Sequence, residues 1–297
     1  MSRIDRRRLL GAAALAPVAL SEIAGRPAAA QAPQGDVPPP KYVLSGNMEL
    51  MFPRDFAHAD RIRLFADQGL KAFSFWEISG KDADAMERAQ KQTGLECGSI
   101  TGNGKTGWGT GLTKTGYEKA FLDDIMDHIE VAKRFGCKNL ITFVGAVQKD
   151  IPWEVQQRQV VDGLKRAGDL AEKHDVYIVL EPLNNVESAQ MSMLTSAEAF
   201  KYAAEANHPR VKVDYDMYHR QLGEGNIINN LRLGLQKGWI RFVEVGDVPG
   251  RKEPGSGETN YANIFKVLRE QNYAGFVGLE HGSTSTPRHA MEAVRRL

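Results

Sequence analysis

Cysteine is nearly absent: Cys97 and Cys137 are the only two in 297 residues. Two thiols make no disulfide framework, and both sit beside apolar runs, which predicts buried free thiols. Histidine is scarce as well, with seven in the chain, too few for a centre built from several zinc ions. Neither sign of charge is in excess. The 38 basic side chains meet 37 acidic ones, for a formal net charge of +1. No long basic run follows the first residues, so nothing points to nucleic acid or a membrane surface as a partner. The first strand-like run continues as SGNMELMFP and lacks the Gly-x-Gly-x-x-Gly turn of a dinucleotide fold. The glycine-rich stretch at 101–111 lacks the Gly-x-x-x-x-Gly-Lys-Ser/Thr of a phosphate loop, and reads instead as a substrate-covering loop.

What is present starts with a targeting pattern. Arg3, Arg6, Arg7 and Arg8 precede an apolar stretch at 9–20, and small residues end in Ala30-Gln31-Ala32. That order predicts a cleavable export signal over 1–32, of the twin-arginine type, and hence a periplasmic or exported protein. The apolar stretch is shorter than the ~20 residues of a membrane span, so no stable membrane insertion is expected after cleavage. Residues 33–41 carry Pro38, Pro39 and Pro40 and read as an extended linker.

From residue 42 to the end the pattern is regular. Short β-branched and aromatic runs occupy 42–48, 70–76, 95–100, 139–144, 176–181, 211–215, 240–245 and 276–280. Each is too short for a helix and is bounded by turn residues. Helix-like segments lie between them at 57–68, 82–93, 117–135, 152–174, 195–206 and 261–271. Gly69, Gly94, Gly136 and Gly238 stand where helices stop before strands. Strand and helix alternating eight times predicts one α/β domain over 42–297, a (β/α)8 barrel. Its length is compatible with a single domain, since such barrels take ~250 residues.

In a barrel of this kind the chemistry sits at the C-terminal strand ends. The fifth run ends in Glu181. The sixth carries Asp214 and ends in Asp216, with His219 three residues on. The seventh gives Glu244, then Asp247 and Arg251, and the eighth ends in Glu280 and His281. Taken singly, each acid could cap a helix or pair with a base. Four at equivalent ends of adjacent strands would repel one another and raise each other's pKa, a conflict that a divalent cation resolves. Hard oxygen ligands suit Mg²⁺ or Mn²⁺. Phe52, Trp76, Trp108 and Phe143 follow or end the first four strands and are candidates for an apolar pocket wall.

The stretches LEPLN, DYDMYH, Asp247 to Glu258 (DVPGRKEPGSGE) and GLEH together resemble the hydroxypyruvate isomerase family. That family lies within the xylose-isomerase-like barrels, alongside ketose 3-epimerases. The resemblance spans residue 42 to the end. It implies one divalent metal ion held by Glu181, Asp216, Glu244 and Glu280. Glu181 and Glu280 would also be the catalytic acid/base pair, one removing a proton and the other returning it. Glu187, His219 and Arg251 match substrate-binding positions of the relatives. One departure concerns the seventh strand, where the family's ligand is a neutral Gln or His and this chain has Glu244. The extra charge would tighten metal binding and weaken attraction for an anionic substrate, unless Glu244 stands outside the metal's reach.

The resemblance implies a small hydroxy-carbonyl or sugar substrate and isomerisation of hydroxypyruvate to tartronate semialdehyde. A periplasmic keto-sugar epimerase or lyase is the second reading, raised by the export signal. A non-catalytic sugar-binding barrel is a third. An endonuclease of the same superfamily would need more histidines and a basic face. Assembly into a homo-oligomer is compatible with each of these readings.

Overall fold

The computed structural model describes residues 38–297, so the expected export signal and most of the linker lie outside the described residues. Eight parallel strands close into one barrel in sequence order, β1 to β8. They are β1 (Val43–Asn47), β2 (Ala72–Phe75), β3 (Glu96–Thr101), β4 (Asn139–Thr142), β5 (Tyr177–Leu180), β6 (Val211–Asp216), β7 (Ile240–Glu244) and β8 (Phe276–Leu279). Each lies within one residue of an apolar run read from the sequence. β8 pairs with β1 through Val43↔Phe276 to Gly46↔Leu279, which closes the ring.

Around the barrel run α1 (His58–Asp67), α2 (Ala83–Thr93), α3 (Glu118–Phe135), α4 (Trp153–Lys173), α5 (Ser196–Ala206), α6 (Met217–Gly223), α7 (Ile227–Gln236), α8 (Tyr261–Glu270) and α9 (Pro287–Arg295). The helices α6, α7 and α9 are not among the helix-like segments read from the sequence. α6 is a single short element begun by Asp216, whose Oδ1 accepts from the Tyr218 amide at 2.9 Å. α9 starts on the Thr286 cap with Pro287 at its first position, where a missing amide hydrogen costs nothing. Thr195 begins α5 as expected, in a reciprocal capping box with Glu198. Among the described residues no helix is long and apolar enough to cross a membrane.

Alternation along each strand separates two interiors. On β5, Ile178 and Leu180 face the helix layer and join the main apolar core. Val179 points the other way, into a smaller cluster with Ile141, Phe143, Leu183, Met191 and Phe242 inside the barrel. The same period places Tyr215 against the helices, where its hydroxyl donates to Ile227 O at 3.0 Å. Asp214 and Asp216 then both face inward. Glu244 stands level with Asp216 on one side and with Gly278 on the other.

Cys97 and Cys137 are buried and free. Phe52 is not part of the pocket wall. It stacks on Phe56 and meets Phe65 of α1 edge-on, so it belongs to the helix-side core. Phe65 reaches that place because Gly46 opposite it has no side chain; a Cβ there would lie 2.4 Å from the ring.

Candidate active site

A cavity of about 270 Å³ opens at the C-terminal ends of the strands. Its lining includes Glu181, Glu187, His219, Glu244, Arg251 and Glu280. Asp216 stands behind them, nearly inaccessible. Carboxylate oxygens of Glu181, Asp216, Glu244 and Glu280 can all be chosen within 4.8 Å of one another. The expected ligand set is thus assembled in space by four successive strands.

The electrostatics follow from burial. Desolvation, and then the charges of Glu280 and Asp214, push the Glu181 carboxyl well above the usual range. Glu244 is raised in the same way by burial, Glu280 and Asp214. Asp214, one layer deeper, is fully enclosed with neither oxygen hydrogen-bonded, and burial raises it as well. Glu244 has room because Gly278 lies beside it; a Cβ at 278 would come within 2.9 Å of Glu244 Oε1. Converging hard oxygen donors, with mutual repulsion left to be answered, fit a hard divalent cation such as Mg²⁺ or Mn²⁺.

Arg251 answers part of that repulsion. Its Nη2 donates to Asp216 Oδ2 at 2.8 Å and to Glu280 Oε2, and its Nε donates to Glu280 O at 3.2 Å. Burial opposes its charge, but Glu280 and Asp216 outweigh that and hold its pKa above the ordinary value. Arg251 therefore pairs inside the site and not with Asp247 or Glu253. Asp247 instead anchors the loop that carries it. Its Oδ1 accepts from the amides of Val248 (2.9 Å) and Thr259 (3.0 Å), and its Oδ2 from those of Gly255 (2.8 Å) and Gly257 (2.9 Å). Position 257 must be glycine, because a Cβ would meet Val248 O at 2.1 Å. Asp247, Gly255 and Gly257 of the 247–258 stretch are the parts of this one frame.

His219 is fixed from behind by a residue that the sequence did not single out. Asn184 uses its Oδ1 to accept from the amides of Val186 (3.0 Å) and Glu187 (2.8 Å). Its Nδ2 then faces Glu187 Oε2 at 3.1 Å and His219 Nδ1 at 2.7 Å, and can only donate. His219 Nδ1 is thus the acceptor, and the ring hydrogen sits on Nε2, 3.4 Å from Glu181 Oε1 and 3.5 Å from Asp216 Oδ2. Burial, reinforced by Arg251, lowers the His219 pKa to about 3, so the ring is neutral at pH 7. Glu187 also accepts from Tyr218 Oη at 2.6 Å. The buried Arg220 donates to the carbonyls of Pro182, Leu183 and Leu194, which ties down the loop bearing Asn184 and Glu187.

The other half of the barrel supplies the wall. Trp76, Trp108 and Phe143 line the cavity, and Trp108 packs on Phe143 with ring centroids 4.7 Å apart. Trp76 Nε1 donates to Glu280 Oε1 at 2.7 Å, and Asn47 Nδ2 approaches the same oxygen at 3.5 Å. Gly104 and Trp108 place the glycine-rich loop among the walls of the cavity. Asn47, Glu77 and Asn184 are the lining or supporting residues that sequence reasoning missed. Their only sequence signal is position: each lies within four residues of a strand's last apolar residue.

Comparison with known proteins gives a consistent picture. The chain is 30% identical to the hydroxypyruvate isomerase of Escherichia coli (strain K12) over 171 residues, covering 58% of this chain and 66% of that protein. It is 28% identical to the human protein named putative hydroxypyruvate isomerase, over 80% of this chain and 88% of that one. Among solved structures, a family 2 AP endonuclease from Brucella melitensis superposes with a TM-score of 0.77 at 24% identity, covering 86% of this chain and 98% of that one. At that identity the likeness is one of fold alone. The family model for the xylose isomerase-like TIM barrel matches residues 60–297, through all but the first strand of the ring, and the chain belongs to that family.

Proposed function

We propose that this chain is an isomerase that moves a proton between adjacent carbons of a small hydroxy-carbonyl compound, with one divalent ion, Mg²⁺ or Mn²⁺, as cofactor. The observation that carries the reading is the convergence of Glu181, Asp216, Glu244 and Glu280 within 4.8 Å. These four residues would hold the ion, which when bound supplies Lewis-acid polarisation of the substrate carbonyl.

The protein's own groups divide the remaining work. Glu181 and Glu280 come from β5 and β8 and flank the ring of acids, so one can take the proton and the other return it. Burial raises the Glu181 carboxyl, and so narrows its pKa gap to a weakly acidic carbon. Neutral His219 offers Nε2–H, and Arg251 offers guanidinium hydrogens, to oxygens on which negative charge develops. Glu187, oriented by Tyr218 and Asn184, can accept a substrate hydroxyl. The aromatic wall and the glycine-rich loop limit water at the reacting carbon.

The relatives' names make hydroxypyruvate, with tartronate semialdehyde as product, the first pair to test. A second reading, a keto-sugar epimerase, uses the same acid pair and is favoured by the surplus of acids around the cavity. Metal-loaded protein incubated in D₂O should introduce deuterium beside the carbonyl of its substrate. Absence of exchange across hydroxypyruvate and a ketose panel would remove both readings and leave a non-catalytic sugar-binding barrel.

A further inference from the structure

Two of the four clustered acids share a cation that belongs to the chain itself. Asp216 spends Oδ1 on the Tyr218 amide at the start of α6, at 2.9 Å, and Glu280 spends Oε1 on the Trp76 indole, at 2.7 Å. The oxygen left to each, Asp216 Oδ2 and Glu280 Oε2, accepts from one and the same nitrogen, Arg251 Nη2. Both acids are almost fully buried, so water does little to screen them from the guanidinium. Each thus brings to the ring of acids an oxygen on which a positive charge already rests.

The fold itself holds Arg251 in that position. Its backbone lies in the left-handed region, with φ +51°, a conformation that a residue with a Cβ keeps only where its surroundings enforce it. The Gly282 amide donates to its carbonyl at 2.8 Å, and Asp247 bridges Lys252 across the turn. The guanidinium carbon stands 4.7 Å from the centroid of the Tyr218 ring. A hard ion such as Mg²⁺ bonds oxygen at about 2.0–2.1 Å. With Nη2 2.8 Å from Asp216 Oδ2, an ion on that oxygen would lie no more than about 5 Å from Nη2. Two cations at that range, in a poorly solvated cavity, repel one another strongly.

We propose that Arg251 is a built-in competitor of the divalent ion: it serves as counter-ion to Asp216 and Glu280, and in doing so it holds ion affinity down. The inference rests on the ion assigned in the proposed function, but it is read out as binding and stability, not turnover. Arg251→Met removes the charge and keeps much of the side chain's length. In calorimetry, Mg²⁺ and Mn²⁺ should bind this variant at least about tenfold more tightly than the wild type, a change of about 1.4 kcal/mol. Melting in chelator should move the other way, to a lower temperature, because two buried carboxylates lose their cation. Damage to the site would weaken the ion and the fold together; only a competitor gives the two opposite signs. Unchanged or weaker ion binding by a folded Arg251→Met protein overturns the inference and leaves the isomerase reading to its deuterium exchange. No ion bound by either protein overturns the inference together with the ion half of that reading. The wild type supplies an arm that does not depend on the variant's folding. Phenylglyoxal labelling of Arg251, followed by peptide mass mapping, should lose its protection when Mg²⁺ is added, since the ion takes over the oxygens that shield the guanidinium. Labelling unchanged by saturating Mg²⁺ overturns the inference as well.

Discussion

The indole Nε1 of Trp76 donates to Glu280 Oε1 at 2.7 Å, although the two residues are 204 positions apart in the chain. The contact joins the aromatic wall to a carboxylate from the last strand. It orients the Glu280 carboxylate, whose other oxygen accepts from Arg251, and draws electron density from a group proposed to carry a proton. Trp76→Phe keeps the wall and loses the bond. Deuterium exchange should slow by about 10- to 100-fold, the usual effect of removing such an orienting partner, with substrate affinity much less changed. A loss confined to affinity would make Trp76 wall and nothing more.

Glu181→Gln and Glu280→Gln should each lower the exchange rate by at least about 10²-fold, the scale of general acid–base catalysis. Glu244→Gln should retain much of the activity, because an amide oxygen can still serve as a ligand and one surplus charge is removed. Isotope exchange followed by NMR separates the three. A Glu244→Gln protein as inactive as the other two would place the Glu244 charge itself among the requirements.

Chelation should abolish exchange, and Mg²⁺ or Mn²⁺ should restore it. Calorimetry should count one ion per chain. Binding to the folded state alone also raises the melting temperature with ion concentration. Asp216→Asn should weaken the ion and flatten that rise. Two ions per chain, or undiminished exchange after exhaustive chelation, would contradict the proposed centre.

Asn184→Asp replaces the only group that can donate to His219 Nδ1 with an acceptor. The imidazole must then turn its hydrogen toward position 184, leaving Nε2 bare toward Glu181 and Asp216. The expected result is a 10- to 100-fold fall in turnover with a modest change in KM. Asn184→Gln, which can still donate, should recover part of it. An imidazole ¹⁵N spectrum with protonated Nε2 in the wild type would confirm the tautomer directly.

Stability at alkaline pH should depend on His128. Burial alone would lower its pKa from 6.5, but hydrogen bonds to Asp124 and Glu77 outweigh that and raise it to about 10. Because the folded value exceeds the unfolded one, the stabilisation is complete below about pH 6.5 and is lost as pH rises through about 10. Thermal unfolding from pH 7 to 10.5 should show the wild type losing more stability than His128→Gln. Parallel curves would mean that the imidazole is neutral throughout.

The barrel and its ring of acids were legible because both depend on local periodicity. A run of apolar residues ends, and the next polar side chain lies at the strand tip, as Glu181 and Glu280 do. Arg251 was placed near the site through the 247–258 stretch, but not its partners, since nothing local distinguishes Asp216 and Glu280 from nearer acids. The Glu77–His128 pair was not legible at all. Its members stand 51 positions apart and meet only because α3 packs behind β2 and β3. Asn184 looked like an ordinary turn residue until His219 folded against it. Phe52 misled because it follows a strand, like the true wall residues, yet its ring turns to the helix side.

The barrel divides its labour at one seam. Every clustered carboxylate comes from β5 to β8, whereas Trp76, Glu77, Trp108 and Phe143 belong to the half containing β1 to β4. The aromatic wall and the clustered acids are thus written in separate, consecutive halves of the gene, with Glu187, His219 and Arg251 in the second. Chimaeras joined between β4 and β5 should carry the shape of the apolar wall with the first block, and the acids with their polar substrate contacts with the second. Selection could then reshape that wall, by mutation or recombination, without moving the strands that carry the acids.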